Sequence, residues 1–117
     1  MKDNNKDEKS IKDIKRKVNE IDNRIDTEKI RIRKIAETQD HITSLRRNIN
    51  WCIELLSKSM KGPTTQNRFD DMHNSNTLFY IKTASILDEE SEKSRKNIVI
   101  LSSEKDKIIK DSKDQKE

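Results

Sequence analysis

Isoleucine returns every seven residues through the first half of this chain. Ile14, Ile21, Glu28, Ile35, Ile42, Ile49 and Leu56 form one series. Ile11, Val18, Ile25, Ile32, Gln39, Arg46, Ile53 and Met60 form a second, offset by alternate steps of three and four. Twelve of these fifteen positions are apolar. Such spacing puts both series on one stripe of an α-helix and matches the seam of a coiled coil. Period two fails throughout, so strands are excluded. β-branched Ile slightly lowers helix propensity, so this helix must be stabilised by packing.

The pattern breaks once, at Met60-Lys61-Gly62-Pro63-Thr64-Thr65-Gln66-Asn67, which holds the only Gly and the only Pro of the 117 residues. Gly62 can end a helix in a conformation closed to other residues, and Pro63 cannot continue one. Thr64, Thr65 or Asn67 is expected to cap the next helix, with Asp70 and Asp71 in its first turn. A short link near the midpoint favours antiparallel neighbours of matched length. The fold expected is all-α: a single long antiparallel helical hairpin, a two-helix coiled coil. Helix 1 should span about residues 8–60, the turn 61–66 and helix 2 about 67–112, with frayed termini, all in one domain. With the turn near Pro63, facing residues should have numbers that sum to about 127.

The second helix carries a weaker seam. Phe69, Met72, Phe79, Tyr80, Ile86 and Leu87 lie near the turn, and Ile98, Leu101 and Ile108 lie further on. Ser91 and Ser94 stand between them where large side chains are expected, so the seam reads as thin at mid-hairpin. Glu28, Gln39 and Arg46 interrupt the first seam. Either they snorkel out at small cost or they set register and partner choice.

Charged residues make up 41% of the chain and apolar ones 29%, too few apolar side chains for a compact globule. The formal net charge of +4 comes with interleaved signs, as at Glu8/Lys12, Glu20/Arg24 and Glu89/Lys93. These are solvated helix faces rather than a nucleic-acid footprint. No apolar run reaches the length of a membrane span, and Met1–Ser10 lacks the apolar core of a general secretory signal. A cytoplasmic protein is expected, with co-export alongside a partner left open. Cys52 is the only cysteine, so no intrachain disulfide forms, and its apolar surroundings favour a buried packing role. His41 and His73 have no ligand-spaced partners, and no phosphate loop or nucleophile-base pair is present. The expectation is a protein without catalysis, metal or cofactor.

Large apolar residues near the turn exceed what one seam can bury. Trp51, Cys52 and Leu55 point off the stripe, and Leu78, Phe79, Tyr80 and Ile81 run consecutively around the second helix. A wider local core is one reading. The favoured one is a partner face comprising Leu45, Trp51, Cys52, Leu55, Phe69, Leu78, Tyr80 and Ile81, covered by another helical chain.

Two long helices, a tight Gly-containing link and an aromatic-rich tip resemble the small helical-hairpin proteins of the WXG type. More closely the chain resembles accessory proteins encoded beside LXG-domain toxins in type VII secretion loci of Gram-positive bacteria. Met60-Lys61-Gly62 stands where the WXG proteins carry Trp-x-Gly, so the Gly matches and the Trp does not. Their C-terminal Tyr-x-x-x-Asp/Glu export signal has no match, since Ala84 lies four residues after Tyr80. The resemblance implies a targeting factor or chaperone that binds the helical N-terminal LXG domain of a toxin, often with a second small helical protein. The alternative is a structural module that self-associates into a four-helix-bundle dimer.

Overall fold

The computed structural model describes the backbone of residues 2–114 and the side chains of residues 8–114. It holds two helices, α1 (Lys2–Ser59) and α2 (Pro63–Asp114), and no strand among the described residues. The all-α hairpin expected from the heptads is the fold observed.

The boundaries differ from those expected. α1 begins at Lys2 rather than near residue 8, since no Gly or Pro interrupts the first residues. The turn is only Met60, Lys61 and Gly62, not residues 61–66. Gly62 has φ +148°, a conformation that residues with a Cβ rarely adopt. Pro63 does not end the turn but opens α2, where its fixed φ suits the first helical position and its missing N–H needs no partner. The Gly62 carbonyl accepts from Gln66 N at 2.9 Å, the first bond of α2. Thr64, Thr65 and Asn67 therefore sit inside the helix instead of capping it. Asp70 and Asp71 lie beyond its first turn, which carries no acidic residue.

Packing divides the chain into two units: residues 1–32 with 92–117, and residues 33–91. In each, a segment of α1 runs antiparallel to a segment of α2. In the first, Lys105 Nζ meets Asp22 Oδ1 at 2.8 Å, and Asn97 Nδ2 donates to Glu28 Oε1 at 3.4 Å. The Asp22 carboxylate, by hydrogen bond and by charge, raises the Lys105 ammonium above its usual pKa. In the second, Gln39 Nε2 donates to Asp88 Oδ1 at 2.9 Å and Asn76 Nδ2 to Asn50 Oδ1 at 3.0 Å. The Arg46 guanidinium lies 4.3 Å from the centroid of the Tyr80 ring. The residue numbers of all five pairs sum to between 125 and 127, the register expected from the turn. Glu28, Gln39 and Arg46 thus each bond or stack across the seam. Polar pairs at a seam cost stability but tolerate few alternative alignments.

The core is small. Ile21 is buried in the first unit, and Ile35, Ile53 and Phe69 in the second. Most other seam residues, including Ile14, Ile25, Ile32, Ile42, Leu87, Ile98, Leu101 and Ile108, are half-buried. Full burial of such a side chain is worth about 1.5–3 kcal/mol, and half burial correspondingly less. The middle of the seam carries small residues on α2, as expected, but they are buried. Ser91 is buried, and Ser94 is 0% exposed. In the observed register Ser91 lies level with Ile35 and Ser94 with Ile32. A small side chain permits a short interaxial distance, which is how positions without bulk can be buried.

Candidate partner-binding surface

In the turn-proximal unit the seam is taken by polar and aromatic pairs rather than by every large apolar residue. Asn76 and Tyr80 occupy it through Asn50 and Arg46. Phe79, next to Tyr80 in sequence, is therefore turned outward and is 62% exposed. Leu87 is half-buried and Ile86 exposed for the same reason, since adjacent helical residues point about 100° apart. Ile49 and Leu56, expected in the seam, are also exposed.

These residues are not scattered. On α1, His41, Leu45, Asn48, Cys52, Leu55 and Ser59 recur at steps of four and three, and all are exposed. On α2, Arg68, Met72, Ser75, Phe79, Lys82 and Ile86 do the same. Each helix of this unit thus carries a second heptad stripe outside the internal seam. The two stripes meet at Leu45 and Phe79. A shallow groove is lined by Leu45 and Ile49 of α1 and Phe79 of α2, with Ile42, Asn76 and Tyr80 at its floor. Residues seven apart share a face, which places Cys52 beside Leu45, and Met72 and Ile86 beside Phe79.

The expected partner residues are distributed unequally. Leu45, Cys52 and Leu55 lie on the α1 stripe and are exposed. Trp51, 62% exposed, extends its outer edge as the i−4 neighbour of Leu55. Leu78 and Ile81 are exposed but point away from Phe79, off the groove. Two expectations fail. Phe69 is 6% exposed and belongs to the core, because it lies seven residues before Asn76 and so shares the inward face of α2. Cys52 is not buried but is an exposed free thiol, since Ile53 takes the inward position beside it. Tyr80 is half-buried under Arg46, presenting an edge at the groove rather than a full ring. Sequence reasoning passed over Ile49, Leu56, Met72, Phe79 and Ile86 as partner residues. The regular 3,4 spacing from Arg68 to Ile86 was the signal available.

Among the described residues no group of His, Cys, Asp and Glu is arranged to hold a metal ion. Among the described residues no helix is long and apolar enough to cross a membrane. The other unit has an open cleft of about 450 Å³ lined by residues that include Lys9, Asp13, Lys17 and Asp111. Comparison with family models, with curated proteins and with solved structures returned no match to the chain.

Proposed function

We propose that this protein is a non-enzymatic helical binding module that completes a helix bundle with a partner chain, docked on the turn-proximal face. The observation that carries the reading is the second 3,4 stripe, exposed on both helices, with Leu45 and Ile49 of one helix and Phe79 of the other lining a common groove. A heptad stripe is complementary to another helix and to little else, because its ridges accept knobs at helical spacing. The resemblance to the accessory hairpins supplies the finer reading. The partner is the helical N-terminal LXG domain of a toxin, joined by a second small helical protein, and the hairpin targets that toxin for type VII export.

Trp51→Ala and Phe79→Ser probe both levels. Each removes a large exposed side chain, so the helical content of the free protein should stay unchanged. Truncating an aromatic interface residue often costs about 2 kcal/mol or more, roughly thirtyfold in affinity. Lys107→Glu, on a solvated surface, should do little. In the source cell, deletion of the gene should stop export of one toxin, and neither aromatic variant should restore it. Unaltered export after deletion would remove the secretion reading. Recovery of the protein only as complexes with itself would favour the self-associating module.

A further inference from the structure

The order of charges along the exposed α2 stripe bears on which chain can lie on it and in which direction. One further step of three carries the stripe from Ile86 to Glu89. It then reads Arg68, Met72, Ser75, Phe79, Lys82, Ile86 and Glu89, all exposed. Its two halves complement each other about Phe79. Met72 and Ile86 stand seven residues before and after it. Arg68 stands eleven before, and the carboxylates Glu89 and Glu90 stand ten and eleven after. Two copies of α2 laid antiparallel with Phe79 at the centre therefore bring Met72 to Ile86 and Arg68 to Glu89 and Glu90, each contact twice. Lys82 comes to Ser75 and meets no like charge. Asp71 comes level with Leu87 and keeps Arg68 one turn away in its own chain. Laid parallel, the same stripes set Arg68, Lys82 and Glu89 each beside its own copy, which is repulsive at all three.

The groove lies at the same centre. In this unit facing residues have numbers that sum to 126 or 127, so residues 47 and 48 are level with Phe79. They fall between Leu45 and Ile49, the α1 residues that line the groove with Phe79. A two-fold axis there brings Leu45 of each copy to Ile49 of the other, beside the two Phe79 rings. The six residues of the α1 stripe include no Lys, Arg, Asp or Glu, so they oppose no orientation and offer α2 no counter-charge. We propose, resting on the docking reading above, that a second copy of this chain closes the face when no other helical chain occupies it, as an antiparallel dimer centred on Phe79. A two-fold interface requires a patch of this symmetry, since every contact is made from both sides.

The test is sedimentation equilibrium of the full-length protein in reducing, low-salt buffer, with circular dichroism to verify that each variant stays helical. The parent should dimerise as its concentration rises. Phe79→Ser acts on both sides of the axis and should weaken the dimer about a hundredfold or more. Arg68→Glu and Glu89→Arg, each alone, set like charges opposite one another and should each weaken it about fivefold. An equimolar mixture of these two variants restores opposite charges on both sides and should dimerise about as tightly as the parent. If Phe79→Ser loses helix, the charge reversals decide. A monomer at about millimolar concentration overturns the proposal. So does a dimer that Phe79→Ser or the single reversals leave unchanged, or a mixture that dimerises no more tightly than its components. Each of these results leaves the docking reading standing, to be decided by Trp51→Ala and Phe79→Ser in the native complex.

Discussion

Gly62 shows how little sequence is needed to reverse this chain. Its φ of +148° is the only positive value among the described residues, and a Cβ built there would meet Thr65 Oγ1 at an ordinary 3.9 Å. Space is therefore not the obstacle to a side chain; backbone conformation is. Gly62→Ala should lower stability by about 1–3 kcal/mol, seen as a lower urea midpoint at unchanged slope. An unshifted midpoint would mean that the turn rearranges freely and that glycine is not required. The Lys105–Asp22 pair belongs to the same scale. The raised Lys105 pKa gives a contribution complete below the usual lysine range and lost only as pH rises through the raised value.

At the scale of the element, α2 differs from the helix its apolar residues describe. Its most buried position is Ser94, whose Oγ has no hydrogen-bond partner. A reading of the seam by bulk alone makes Ser94 a gap, and filling it with Leu should then stabilise the protein. The burial leads to the opposite expectation. Ser94→Leu has no room without separating the helices, and overpacking of this kind costs about 1–3 kcal/mol. Ser94→Ala keeps the volume and removes an unpaired hydroxyl, so it should be neutral or slightly stabilising. Thermal melts of the two variants moving in opposite directions would confirm the close approach. A Leu variant that melts higher than the parent would refute it. The same helix carries two heptad registers in residues 68–86. The inward one runs through Phe69, Asn76 and Tyr80 and the outward one through Met72, Phe79 and Ile86.

For the whole molecule, a core of a few buried apolar side chains leaves little reserve against the entropy of ordering two helices of 58 and 52 residues. Stability should therefore respond strongly to an added partner. At a free partner concentration of about one hundred times Kd, mass action adds about 2.7 kcal/mol, and the melting temperature should rise with partner concentration. Calorimetry over a range of protein concentrations measures this for self-association, and with added partner for the complex. A sharp transition at high temperature from a monomer, indifferent to both, would show that the two helices suffice by themselves.

The heptads and the single Gly-Pro step determined the helical class, the antiparallel pairing and a register close to that observed. These follow from local periodicity and from the one break in it, which any packing must respect. The sequence also marked the turn-proximal half as too apolar for one seam. Only the tertiary structure decided which apolar residues turn inward. Phe69 went to the core and Phe79 to the surface because Asn76–Asn50 and Tyr80–Arg46 claimed the seam between them. Those choices depend on residues some thirty positions apart meeting across the hairpin, and no count of hydrophobicity along one helix contains them. The burial of Ser94 was hidden for the same reason. The distance between two helices is a property of the pair, and a small residue reads as weakness until its neighbour is seen to close upon it.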